Sequence, residues 1–160
     1  MNRLLDQEAV QEILEKARAI GARSDLDRLG KLHAWCRLLH DEVEHYQWVG
    51  FYIAEPERRE LRLDAYLGDP TDHVRIPYGK GICGQAAETL KTFVVQDVAE
   101  ESNYLSCSLH VKSEVVVPLF HKGCFVGELD IDSHFVAPFT EWDSRLLEAI
   151  AYLAGPVAQA

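Results

Sequence analysis

Apolar residues recur at helical spacing through the first 45 positions. Leu4, Val10, Ile13, Leu14 and Ala17 form one stripe, Leu26, Leu29, Leu32, Trp35, Leu38 and Leu39 a second, and Gly21 to Ser24 separates them. The period then shortens. Trp48-Val49-Gly50-Phe51-Tyr52-Ile53 is rich in β-forming residues and Leu61 to Tyr66 alternates, so the charged Glu55 to Glu60 segment predicts a turn between two strands. A loop bearing glycine and proline over Gly68 to Gly81 leads into Ile82 to Leu90, a short helix with Cys83 in its first turn. Thr92 to Val95 reads as a short strand and Asp97 to His110 as polar and irregular. Glu114 to Phe120 and Cys124 to Asp132 predict a second hairpin about His121-Lys122-Gly123. A closing amphipathic helix follows Thr140, a good N-cap, with Glu141 and Asp143 favouring its positive end and Leu146, Leu147, Ile150, Ala151 and Leu153 along it.

Helices at both ends with strands and short helices between them predict an α+β fold, an antiparallel sheet with helices packed on it. At 160 residues, 48% hydrophobic, the chain fits one domain over 1–160, in which 1–45 supply the N-terminal helices and 46–160 the sheet, the pocket loops and the closing helix. The net charge of -10 opposes the phosphates of nucleic acid and the surface of an anionic membrane, so no partner of either kind is expected. Met1 to Glu8 carries charges where a signal peptide needs an apolar stretch, and no apolar run approaches about 18 residues. The expectation is a cytoplasmic protein acting on a small molecule or a protein partner.

The candidate chemistry lies in the second half. Cys83 and Cys107 precede three carboxylates in otherwise apolar strands, Glu114, Asp130 and Asp132. Such carboxylates are costly to bury unless a cation or hydrogen-bond donor meets them, so a pocket for a small polar molecule beside reactive sulfur is one reading. Asp130 and Asp132 share one strand face by the period of two. The other reading is a solvated strand face with inert, buried thiols. A cysteine in the first turn of a helix gains thiolate stabilisation from the helix end, which favours Cys83 electrostatically and leaves the order of attack by the two thiols open. Cys36 is expected to pack within its helix, Cys124 follows a turn, and the histidines have no recognised ligand spacing.

Four blocks together resemble the free methionine-(R)-sulfoxide reductases: Trp48-Val49-Gly50-Phe51-Tyr52, the stretch from Arg75 to Gly84 containing Gly81-Ile82-Cys83-Gly84, Ser113 to Pro118, and Gly127 to Ser133. Those enzymes are single GAF domains. The resemblance implies a six-stranded antiparallel sheet, a pocket covered by the loops around Gly68 to Gly81 and Asp97 to His110, and a homodimer. It implies Trp48 and Tyr52 as aromatic walls of the substrate site, where the residues alone read as core, and Glu114, Asp130 and Asp132 as polar anchors. It maps the family's sulfur chemistry to Cys83 and Cys107, with no resident cofactor and with reducing equivalents from a thioredoxin-like donor; the reading adopted for this chain takes Cys107 as nucleophile and Cys83 as its resolving partner in a Cys83-Cys107 disulfide, with the reverse order open. The family typically carries a third cysteine ten residues before the Cys-Gly pair, and this chain has His73 there.

That histidine opens a second constellation. His73, Cys83 and Cys107 together offer an imidazole and two thiolates for zinc, copper or iron, as a metal-dependent enzyme or sensor. His73 as a base for Cys107 is another possibility. A third class is a non-catalytic GAF protein that binds a small ligand without turning it over.

Overall fold

The computed structural model describes residues 2–105 and 109–159. Two helices open the chain, α1 (Gln7–Gly21) and α2 (Arg28–Glu42), each started by an aspartate. Asp6 accepts a hydrogen bond from the Ala9 amide at 2.8 Å and Asp27 one from the Gly30 amide at 2.7 Å, satisfying amides that the first helical turn leaves without partners. The strands β1 (Trp48–Glu55), β2 (Glu60–Leu67) and β3 (Arg75–Pro77) follow, then α3 (Gly81–Thr89), β4 (Phe93–Val95), a 3-10 turn at Val98–Glu100, β5 (Ser113–His121), β6 (Cys124–Ser133) and α4 (Glu141–Gln159). The six strands form one antiparallel sheet in the order β3-β2-β1-β6-β5-β4. This is the α+β arrangement expected from the helix and strand periods.

Alternation along the central strands divides the core in two. Val49, Phe51, Val115, Val117, Leu129 and Ile131 point to the face covered by α1, α2 and α4 and pack with Ile13, Leu32, Trp35 and Leu147. Trp48, Tyr52 and Val116 point to the other face, where they meet Ile76, Ile82, Cys83 and Ala86 of β3 and α3. The first face is an ordinary apolar core. The second carries polar groups in its interior and forms the site.

The start of α4 explains the fate of two polar residues. The Asp143 carboxylate is 1% exposed and accepts hydrogen bonds from the Tyr46 hydroxyl at 2.8 Å and the Thr140 amide at 2.8 Å, with His45 Nε2 at 2.6 Å. The Trp142 amide donates to the Thr140 hydroxyl at 3.2 Å, so the cap expected at Thr140 forms a reciprocal box with Asp143. Near its other end, α4 runs through Gly155 and Pro156 without breaking. A Cβ at Gly155 would lie 2.0 Å from the Phe120 carbonyl oxygen of β5, so glycine lets the helix touch the sheet backbone. Gly155→Ala is expected to destabilise the protein by about 1–3 kcal/mol, through forced separation of α4 from β5. Chemical denaturation measures this, and an unchanged midpoint would show that the helix shifts without cost.

Candidate active site

The site is built on β6. Glu128, Asp130 and Asp132 alternate on its inner face, opposite Tyr52, Gly50 and Trp48 of β1. On the other side, β5 sets Glu114 opposite Asp132 and Val116 opposite Asp130. All four acids are buried, Glu128 and Asp130 with no exposure at all. Cys83, the third residue of α3, closes the cluster from above, its Sγ 3.8 Å from Glu114 Oε2. One donor atom from each of Cys83, Glu114 and Asp130 lies within 4.8 Å of the others.

Small residues and local clips bring these groups together. A Cβ at Gly50 would fall 2.3 Å from the Trp48 ring, so the indole lies along β1 because its neighbour has no side chain. Trp48 stacks on Tyr66 at 5.5 Å between ring centres and donates from Nε1 to the Asp69 carbonyl. Tyr52 is wholly buried, and its hydroxyl donates to the His73 carbonyl at 2.9 Å. Both aromatics thus pin the loop between β2 and β3 by its backbone. The start of α3 is held by Asn103, which accepts from the Gly81 amide at 2.9 Å and donates to the Gly79 carbonyl at 2.8 Å.

The chamber between these groups is lined by Ile76, Lys80, Cys83, Leu105, Glu114 and Asp130, among others. Its wall therefore draws on the two segments expected to cover the pocket. Its volume is about 10 Å³, room for a single water-sized guest. Among the described residues, neither oxygen of Glu128, Asp130 or Asp132 has a hydrogen-bond partner.

These surroundings shift the acids and the thiol in one direction. Burial pushes Asp130 up, with the nearby Glu114 and Cys83 pulling back part of the way. Asp132 is raised by burial and then by the charge of Asp130, and Glu128 likewise. Cys83 is raised well above an ordinary thiol, first by burial and then by Asp130, Glu114, Glu128 and Asp132. The stabilisation expected from the helix end is therefore overridden, because four carboxylates and the loss of water outweigh one short helix terminus.

A pH dependence of stability follows from the three raised carboxyls. Their folded values lie above their unfolded ones, so the stability they contribute is complete below the ordinary carboxylate range. It is lost as pH rises through the folded values. Asp64 acts with the opposite sign: burial works against its charge, but hydrogen bonds from Arg62 and Arg28 win and hold it low. The comparison that isolates the cluster is wild type against Glu128→Gln, melted at intervals between about pH 5 and about pH 8. The variant is expected to gain on the wild type as pH rises, and parallel profiles would contradict this account.

Of the residues singled out from sequence, the structure gathers Trp48, Tyr52, Cys83, Glu114, Asp130 and Asp132 on one face of the sheet. His73 is half-buried and reaches the site through its carbonyl. Cys107 lies outside the described residues, as do any disulfide or metal set that includes it. Glu128 was not singled out, although the same alternation that joins Asp130 to Asp132 runs one step further to it.

A curled antiparallel sheet with helices on one face and a small polar chamber under a short helix on the other defines a ligand-binding α+β domain. The GAF domain family matches residues 27–156. A GAF domain-containing protein A from Dictyostelium discoideum is 39% identical over 112 residues, 70% of each chain. The free methionine-R-sulfoxide reductase of Escherichia coli is 34% identical over 113 residues, 71% of this chain and 67% of its own. The crystal structure of free methionine-R-sulfoxide reductase from Neisseria meningitidis in complex with its substrate superposes with a TM-score of 0.87 at 32% identity, covering 99% of this chain and 96% of that one. The chain belongs to the GAF domain family, in its free methionine-(R)-sulfoxide reductase branch, a branch of oxidoreductases.

Proposed function

We propose that the protein reduces free methionine-(R)-sulfoxide to methionine in this chamber. The observation that carries the reading is the buried carboxylates of Glu128, Asp130 and Asp132, without hydrogen-bond partners among the described residues, close to the Cys83 thiol. They are costly as they stand and are relieved by a ligand that brings an ammonium group and hydrogen-bond donors. A free amino acid brings an ammonium; an internal peptide residue does not. Trp48 and Tyr52 form the apolar wall against which the S-methyl end rests, and Glu114, Asp130 and Asp132 take the polar end.

In the chemical step the Cys107 thiolate attacks the sulfoxide sulfur while a protonated carboxyl of the cluster donates to the departing oxygen. The protonated oxygen passes to the Cys107 sulfur as the transient bond between the two sulfurs breaks, so methionine leaves with the electron pair and Cys107 becomes a sulfenic acid that carries the oxygen. Raised carboxyls suit this role, since a neutral acid near a developing oxyanion has a proton to give. The Cys83 thiol then attacks the sulfenic sulfur, forming the Cys83-Cys107 disulfide and releasing water. A thioredoxin-like dithiol reduces that disulfide and is itself oxidised. The protein works in this reading as a cytoplasmic homodimer without a resident cofactor.

The chamber as described holds one water-sized guest and not an amino acid, so entry requires the 103–105 segment to part from α3. The contacts to be broken are the Asn103 clip and the Leu105 side chain, whose Cγ would sit 3.0 Å from a Cβ on Gly81.

The test is turnover by metal-free protein supplied with thioredoxin, its reductase and either epimer of free methionine sulfoxide. The R epimer is expected to be consumed and the S epimer left. Consumption of neither would overturn the proposal, and binding without turnover would favour a ligand-binding GAF protein.

A further inference from the structure

We infer that the closed chamber is also a site for one thiophilic divalent cation of the zinc type, held by Cys83 Sγ and one oxygen each from Glu114 and Asp130, and that the ion excludes the substrate. The donor atoms of these three residues lie within 4.8 Å of one another, and Cys83 Sγ is 3.8 Å from Glu114 Oε2. Ordinary zinc–sulfur and zinc–oxygen lengths of about 2.3 and 2.0 Å place sulfur and oxygen about 3.5 Å apart on a tetrahedron. The triad therefore closes on an ion with small side-chain movements.

A second observation points to a ligand at this place. Asp130 has no exposure, lines the chamber, and has no hydrogen-bond partner for either oxygen among the described residues. Asp132 and Glu128, also without a partner among the described residues, flank it on the same strand face. Lys80, the cationic residue of the lining, is exposed and forms no ion pair among the described residues. Its volume of about 10 Å³ suits an ion where it refuses an amino acid.

The donor set decides the class of metal. One sulfur with two carboxylate oxygens selects zinc or cadmium over magnesium and calcium, which prefer all-oxygen shells. Three protein donors leave the fourth position of a tetrahedral ion open. Because the ion occupies the closed form and the substrate needs the open one, the two ligands compete for the same carboxylates.

The exclusion half of this inference rests on the proposed reductase activity, whereas the binding half does not, so the experiment reads them separately. Reduced, metal-free full-length protein is titrated with cadmium while the thiolate-to-cadmium absorption band is followed, and with zinc in a calorimeter. Wild type and Cys124→Ser, which removes an exposed thiol, are expected to take up one equivalent with the band present. Cys83→Ser is expected to lose the band. Asp130→Asn is expected to keep the thiol but bind at least tenfold more weakly, with circular dichroism checking that both variants fold. A band that survives Cys83→Ser, or affinity unchanged in Asp130→Asn, would overturn the site. In turnover assays zinc is expected to raise the apparent KM for methionine-(R)-sulfoxide without lowering kcat. Bound zinc with unchanged KM would overturn the exclusion. If metal-free protein shows no turnover while the band behaves as stated, the reductase reading fails and the cation site stands.

Discussion

Cys107→Ser protein is expected to release no methionine, whereas Cys83→Ser protein is expected to release about one methionine per chain and then stop. The asymmetry comes from the surroundings of Cys83. It is 4% exposed, lies 3.8 Å from a glutamate oxygen, and is raised by burial and by four carboxylates, so its thiolate is scarce. A sulfoxide is a poor electrophile and needs a thiolate to attack it. A sulfenic acid is far more reactive and tolerates a less ionised partner, which suits Cys83 to the second step. Without Cys83 the first step still delivers methionine, but Cys107 stays oxidised. Quantifying methionine in a single-turnover experiment without reductant, with a sulfenic-acid trap added to Cys83→Ser, checks both halves. A full burst from Cys107→Ser would reverse the assignment and make Cys83 the first nucleophile.

Asp130→Asn is expected to lower kcat/KM by about 10²–10³ and at the same time to raise the melting temperature of ligand-free protein. Asp130 lies on the central strand between Gly50 and Val116, fully buried and without a hydrogen-bond partner among the described residues. Removing one partner of a buried charge pair costs about 2–5 kcal/mol of binding, which sets the kinetic loss. In the absence of ligand the burial cost of that carboxyl outweighs the partial relief it has from Glu114 and Cys83, and an amide of equal size relieves the repulsion among the acids. A gain of about 1 kcal/mol corresponds to about 2–4 °C for a domain of this size. The opposite signs separate this account from a structural role, in which activity and stability fall together. Near wild-type kcat/KM in a folded Asp130→Asn protein would remove Asp130 from the substrate site.

The periodic elements were legible from the residues. Both N-terminal helices, the two central hairpins, the short helix at Cys83 and the capped closing helix stand where the apolar spacing puts them, because each buries a stripe or alternating face of its own. The first helix starts at Gln7, later than the apolar stripe beginning at Leu4, because Asp6 caps it. The residues of β3 predict a loop: Arg75–Pro77 is too short for a period and ends in proline, and it becomes a strand only as the outer neighbour of β2. For the site, alternation marked Asp130 and Asp132 as sharing a face but could not say whether that face met water or α3. That choice depends on where the Gly81-Ile82-Cys83-Gly84 helix docks, a contact between segments more than 40 residues apart. The same ignorance hid Glu128 and reversed the expected electrostatics of Cys83, since a helix end lowers a thiol only while water and distant acids stay out of the balance.

The carboxylates project from β6, which has a strand on either side in the middle of the sheet, whereas Cys83 belongs to a nine-residue helix laid on its surface. In the proposed function, recognition therefore sits on the part of the molecule that opens last, and the sulfur step on a short helix laid over it. Losing the two sulfurs leaves the recognition half whole. A chain of this architecture is two atoms away from being a receptor, and the boundary between a sensing domain and an enzyme is here a matter of two side chains and not of fold.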